Sequence, residues 1–262
     1  MEMEDEDQEK PQWLESLGHP RSTKPGAWAS CIRIIHPLNG QTYTEIELDQ
    51  NEAAFSGAIC QFQDDDAYYF VLGTAQNVVM TPRSHSAAYL RVYKFNEHGT
   101  SLEDVHTTSI EDIPYSMSAF NGRLLVGIGK MLRLYDLGKK KLLRKCESKD
   151  FPNFLMDIKT TGYRICVSDI QESIQYAKYD VNDNRLHIFA DDPVSRFTSC
   201  SVLLDYDTIA GGDKFGNLFV LRLPKDVTDV VDDDPMGNVL LKDRGYLNGA
   251  PHRVFLSLPF LI

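Results

Sequence analysis

The feature that most constrains this chain is a recurrence. Four times an apolar, strand-like run ends in small residues, turns, and is followed by a second run with a bulky residue near its far end. The small-residue ends are Val71-Leu72-Gly73, Leu125-Val126-Gly127, Cys166-Val167-Ser168 and Ile209-Ala210-Gly211; the second runs carry Tyr93, Tyr135, Tyr179 and Leu221, at steps of 42, 44 and 42 residues. In the first unit an insertion, AQNVVMTPRSHSA (75–87), separates the two runs. A period of about 40–45 residues built from short strands is that of a four-stranded propeller blade. One such sheet cannot cover both of its faces, so blades bury themselves by stacking radially. A seven-bladed ring at this period needs roughly 290 residues, whereas Trp28 to Leu223 supplies about five blades. The expected fold is therefore all-β: a partial, about five-bladed arc of a WD40-like β-propeller, preceded by a disordered acidic N-terminal tail.

The clearest strand-like runs are WASCIRII (28–35), TYTEIEL (42–48), YYFVLG (68–73), AYLRVYKF (88–95), RLLVGIG (123–129), MLRLYDL (131–137), YRICVSDI (163–170), IQYAKYD (174–180), RLHIFAD (185–191) and NLFVLRL (217–223). Many alternate apolar with polar residues, as half-buried strands do. Asn39-Gly40, Asn121-Gly122, Asp183-Asn184 and Gly216-Asn217 supply turn chemistry between them. Only EDQEKPQWLESLG and KKKLLRK hint at helix, and the second reads better as an alternating edge strand. The β-branched and aromatic content, with no 3.6-residue period, disfavours a helical repeat.

Composition bounds the rest. Residues 1–26 hold six acids in the first nine positions, then Pro11, Pro20 and Pro25, which opposes a packed core and predicts a tail or linker. Residues 27–250 form the propeller segment, and 251–262 an apolar C-terminal stub, GAPHRVFLSLPFLI being an ending without a following turn. The net charge of −11 gives no overall field that draws the chain to a phosphate backbone, so nucleic-acid contact needs a local basic patch. No run of about 18 apolar residues is present to span a bilayer, and the acidic start is not a secretory signal. Cys31, Cys60, Cys146, Cys166 and Cys200 are odd in number and contain no C-x-x-C pair, which reads as reduced thiols of cytosol or nucleus.

Several stretches carry a family resemblance: WAS-x-IRI-x-x-P-x-x-G-x-T (28–42), LDQNEAAFS (48–56), VGIGKMLRLYDLGKKKLLRKCE (126–147), VSDIQESI (167–174), IFADD (188–192) and LLDYDTIAGGDKFGNLFVLRLP (203–224). Over about Trp28 to Ala250 the chain resembles the large β-propeller subunits of splicing factor 3b. These share a superfamily with the large subunit of the cleavage and polyadenylation specificity factor and the damaged-DNA-binding adaptor of a ubiquitin ligase. The resemblance implies a fragment of a C-terminal seven-bladed propeller, truncated, alternatively spliced or mis-joined after Ala250. It also implies a non-catalytic nuclear scaffold of the U2 small nuclear ribonucleoprotein, supporting branch-site recognition in pre-mRNA splicing. The implied partners are the other splicing factor 3b subunits, a helical-repeat subunit and a small subunit, with RNA contact secondary. The adaptor branch, recruiting a cullin-type ligase or recognising damaged DNA, is the first rival. KFGN and KKKLLRKC discriminate against it. A propeller hydrolase is the second.

One basic cluster is a candidate partner or RNA contact: Lys139, Lys140, Lys141, Arg144 and Lys145, with Lys130 and Arg133 nearby. It reads equally as a solvated hairpin whose charges block edge pairing, and it lacks the aromatic interleaving of a single-strand stacking platform. Asp180, Asn182, Asn184 and Asp191 mimic a calcium-loop spacing, but Arg185 stands where that loop needs Gly, so a hairpin turn is expected. Asp64-Asp65-Asp66 and Asp232-Asp233-Asp234 read as solvated connectors. Gly127-Ile128-Gly129 lacks the third glycine of a dinucleotide site and reads as a turn. The seven histidines are dispersed, and the tyrosines and Trp28 read as blade core. No catalytic, cofactor or metal residues are assigned.

Overall fold

The computed structural model describes residues 22, 24–63, 65–224 and 245–246. Most of the 1–26 tail, the EDQEKPQWLESLG stretch, Asp64, Asp232-Asp233-Asp234 and the 251–262 stub lie outside the described residues. Alternating side chains drive each run into strands, and no helix occurs among the described residues. β1 (Cys31–Ile35) and β2 (Thr42–Glu47) form a hairpin. The first blade is β3 (Glu52–Gln61), β4 (Tyr68–Gln76), β7 (Ala87–Phe95) and β8 (Leu102–Ile110), paired in that order. Its insertion is a small hairpin, β5 (Val79–Met80) with β6 (Arg83–Ser84). The second blade is β9 (Pro114–Phe120), β10 (Arg123–Ile128), β11 (Met131–Asp136) and β12 (Leu143–Ser148). The third is β13 (Leu155–Thr161), β14 (Arg164–Asp169), β15 (Ser173–Asp180) and β16 (Arg185–Asp191); the fourth, so far as described, is β17 (Thr198–Leu203), β18 (Thr208–Asp213) and β19 (Leu218–Arg222). A two-residue strand, β20 (Gly245–Tyr246), pairs parallel with the outer edge of β16.

Within each blade the strands are antiparallel and consecutive. Between blades, the first strands lie against one another, β3 on β9, β9 on β13 and β13 on β17. The sheets therefore fan outward from an inner rim, which is the arc expected from the period. Tyr93, Tyr135, Tyr179 and Leu221 all sit on the third strand of their blade and are all buried.

Three apolar clusters fill the three gaps between blades. Val71, Leu90 and Val92 of the first blade meet Leu124, Val126 and Tyr135 of the second. Leu125, Leu132 and Leu134 meet Val167, Ala177 and Tyr179 of the third. Cys166, Ile174 and Tyr176 meet Ile209, Phe219 and Leu221 of the fourth. A second strand thus sends alternate residues into the gaps on both sides, as Leu124 and Leu125 do, because successive side chains leave opposite faces of a sheet. That double burial is why RLLVGI is a nearly continuous apolar run and why every residue of RICVSD is buried. All five cysteines are free; burial pushes the Cys60 and Cys166 thiols up to about 12 and Cys146 to about 11.

The small-residue ends have a steric cause. Gly73, Gly127, Ser168 and Gly211 pair across to the inner-rim residues Ser56, Ser116, Asp157 and Ser201. A Cβ on Gly73 would lie 2.7 Å from the Pro114 ring, and one on Gly127 would lie 2.8 Å from Leu155 Cβ, so the next blade's inner strand occupies the space a side chain would need. Hydroxyls then tie the blades together: Ser56 Oγ donates to Pro114 O at 2.6 Å, and Ser116 Oγ to Leu155 O at 2.7 Å. The 121–122 turn has positive φ at both residues (46° and 71°), the geometry that Asn-Gly tolerates and a right-twisted hairpin requires.

Two expectations need correction. Gly127 and Ile128 belong to β10, and only Gly129, with φ of 56°, makes the turn. In KKKLLRK, strand begins at Leu143; Lys139, Lys140 and Lys141 precede it. The third and fourth strands of each complete blade also slip register at matching points, at Val92/Tyr93, Leu134/Tyr135 and Tyr176/Ala177. The extra residues Val105, Lys145 and Phe189 make bulges on the outermost strands, which increase the local twist of the outer edge; on β16 the pairing with β20 is made just past the bulge, at Ala190 and Asp191.

Candidate interaction surfaces

Meander topology puts the first–second and third–fourth turns of every blade at one end of the arc, and the remaining connections at the other. The two ends differ in chemistry.

The basic cluster lies at the first end, on the loop 137–142 and the start of β12. A Cβ on Gly138 would overlap Lys141 O, so this loop is tight. It is also fixed to the first blade: Leu142, itself buried, donates its N–H to Thr108 Oγ1 at 2.8 Å, and His106 Nε2 lies 3.1 Å from Gly138 O. Lys139, Lys140 and Lys141 are exposed, and none forms an ion pair among the described residues. Arg144 and Lys145 are exposed but engaged, with Glu147 at 3.1 Å and Asp136 at 3.3 Å. The structure thus splits the predicted set into three unengaged lysines on a rigid loop and two cations neutralised by neighbours. Two residues placed near this cluster do not belong to it. Arg133 is buried, donating to Glu111 and Glu147, and Lys130 lies at the opposite end of β11. The Arg133 hydrogen bond holds Glu111 below the usual carboxylate range; burial would raise Glu147, but Arg133, with Lys149 and Arg144, outweighs it and lowers it too.

The other carboxylate groupings serve turns. Asp180 Oδ1 accepts the N–H groups of Asn182 (2.8 Å) and Asp183 (3.3 Å), with Asn184 at φ 52°. Asp65 accepts the Tyr69 hydroxyl at 2.6 Å and the Ala67 N–H at 2.8 Å, and the Tyr69 hydrogen bond leads in lowering its pKa. Among the described residues no three His, Cys, Asp or Glu side chains converge in a way that could hold a metal ion.

The second end carries a feature that sequence reasoning missed. Aromatic rings succeed one another across the arc: Trp28–Phe55 at 6.4 Å between centroids, Phe55–Tyr115 at 5.8 Å, Tyr115–Phe154 at 5.7 Å, and separately Phe197–Phe215 at 5.7 Å. Arg83 lies over the Tyr115 and Phe154 rings, and Lys214 lies 3.6 Å from the Phe197 centroid. The signal was present in the pairs Phe55-Ser56 and Tyr115-Ser116, an aromatic just before the inner-rim serine. Trp28 is not blade core as expected: it is 38% exposed, and its Nε1 donates to Val78 O of the insertion at 2.8 Å.

Antiparallel sheets joined along an inner rim, with side chains offered at two ends, define a propeller-type segment. A family model described as "CPSF A subunit region" matches residues 29–255. The chain belongs to this family. It is similar to "Splicing factor 3B subunit 3" of Danio rerio, 49% identical over 247 residues, covering 94% of this chain and 20% of that protein. It is 44% identical over 241 residues to "Probable splicing factor 3B subunit 3" of Dictyostelium discoideum, covering 92% and 19%. It is 45% identical over 253 residues to "Spliceosome-associated protein 130 A" of Arabidopsis thaliana, covering 96% and 21%. The chain spans about a fifth of the length of these relatives.

Proposed function

We propose that this chain acts in pre-mRNA splicing as a non-catalytic scaffold segment of the splicing factor 3b type, located in the nucleus. The observation that carries this reading is the splicing designation of relatives 44–49% identical over nearly the whole chain. The fold supports it physically. Stacked sheets hold the end loops rigid, and rigid loops offer preorganised surfaces to partners with little ordering cost. The partners on this reading are the helical-repeat and small subunits of splicing factor 3b and, through them, the U2 small nuclear ribonucleoprotein. Lys139, Lys140 and Lys141, with Arg144 and Lys145 beside them, are the proposed contact for an acidic partner surface or RNA phosphate. The working unit is residues 27–250, with 1–26 as tail and 251–262 as stub. Affinity capture of the full chain from nuclear extract tests this. Recovery of splicing factor 3b subunits is the expected result, and recovery of cullin components without them sinks it.

A further inference from the structure

The β5–β6 hairpin leaves the first blade and places one side chain against the next two. The Arg83 guanidinium carbon lies 3.9 Å from the Phe154 ring centroid and 5.0 Å from that of Tyr115. Its Nη2 donates to Asp112 Oδ1. Asp112 is itself held, since Oδ1 also accepts the Ile113 N–H at 2.7 Å, and a Cβ on Gly129 would run into Oδ2. Two ring faces and an oriented carboxylate form the chemistry that recognises a planar cation. Tyr115 lies on β9, and Asp112 and Phe154 in the connectors just before β9 and β13, all on the body that the first blade's insertion reaches.

The occupant's hairpin is anchored only at its base, where Val78 is buried and accepts the Trp28 Nε1–H at 2.8 Å. Beyond that base it has only two paired positions on each strand, and Val79 and Met80 are exposed. The fit is also incomplete: Arg83 Nε is buried without a hydrogen-bond partner among the described residues. Both members of the Arg83–Asp112 pair remain partly open to water, at 25% and 31% side-chain exposure, so a competitor can reach them.

We propose that Phe154, Tyr115 and Asp112 form a binding site for an arginine side chain of a partner protein, and that Arg83 is its resident occupant, released when the hairpin lifts. Arginine is specified over lysine because only the guanidinium stacks flat on Phe154 while donating edge-on to Asp112. The carboxylate repels phosphate, which directs the site to protein and away from nucleic acid. This inference is independent of the splicing assignment.

Thermal unfolding of the full chain tests it, with N-acetyl-arginine methylamide as probe and the lysine analogue as control. Arg83→Ala empties the site. Its Tm is expected to rise with the logarithm of concentration above Kd, by roughly 3–5 °C at tenfold over Kd, with the arginine compound and not with lysine. The wild type, already filled, shifts less. Arg83→Ala combined with Phe154→Ala loses the response. If Arg83→Ala shows no cooperative transition, Arg83→Lys, which keeps a charge but leaves the stack, is titrated and read the same way. An emptied site that answers arginine and lysine alike, or that answers arginine equally without Phe154, overturns the proposal.

Discussion

The gap between the second and third blades and the gap between the third and fourth perform the same task with different chemistry. In the former, Gly127 lets the backbone of β13 approach so closely that the side-chain link at the inner rim is one hydroxyl to one carbonyl, Ser116 Oγ to Leu155 O; farther out, Thr160 Oγ1 donates to Ala119 O, Arg123 to the Tyr179 hydroxyl and Asn184 Nδ2 to Lys145 O. In the latter, the corresponding small residue is Ser168 and the inner-rim position is Asp157. Ser168 Oγ donates to Ser201 Oγ at 3.0 Å, and Asp157 Oδ2 accepts the Ser201 N–H at 3.1 Å and hydroxyl at 2.9 Å. Lys159 pairs with Asp157 at 2.9 Å. At the inner rim, one junction is closed by the absence of a side chain, the other by a side-chain network. The periodic frame dictates where blades touch and leaves open which interaction does the holding.

The contrast can be broken first at Gly127. Gly127→Val inserts atoms where Leu155 Cβ and Ser116 Oγ already stand, and should cost about 3 kcal/mol in urea unfolding. The damage should stay local. Cys146 packs against the second–third cluster, whereas Cys60 and Cys166 line the other two, so native thiol labelling should accelerate most at Cys146. A cost below about 1 kcal/mol would mean that close backbone approach is not what seals this junction. Next, Asp157→Ala leaves two Ser201 donors without their acceptor and should cost about 2 kcal/mol, with Asp157→Asn recovering part. Equal costs for Ala and Asn would show that acceptance by Asp157 does not matter. Smaller again, Ser168→Ala should cost about 1 kcal/mol, the net worth of one hydrogen bond.

The smallest effect concerns acid. Glu111 and Glu147 have folded pKa values below their ordinary 4.5, so their contribution is full above 4.5 and lost as pH falls through the lowered values. Tm should therefore decline below pH 4.5, and Glu147→Gln should flatten that decline. An unchanged slope in the variant would remove the Arg133 cluster from the account.

Legibility in the sequence followed burial. Second and third strands such as RLLVGI and MLRLYD are covered on both faces, so they announce themselves as apolar runs spaced one blade apart. Among the first and fourth strands, RLHIFAD (β16) stood out, but β9 (PYSMSAF) and β8 (LEDVHTTSI) did not. Their residues face the inner rim or the solvent on one side, and Ser, Thr and charged residues there look like loop. The family words reached the right relatives without resolving those strands. The basic loop was legible as charge, but Arg133 was misplaced because its two carboxylate partners, Glu111 and Glu147, come from either side of it in sequence. The aromatic row stayed hidden for a related reason: its members are 27 to 60 residues apart and meet only when neighbouring blades stack.

The hydroxyls of Ser56 and Ser116 both point forward, each from an earlier sheet to the carbonyl of a later one. At these two points the later sheet needs to offer only main-chain oxygen, which any sequence has, so the link fixes the residue type on the earlier sheet and leaves the later one free to vary.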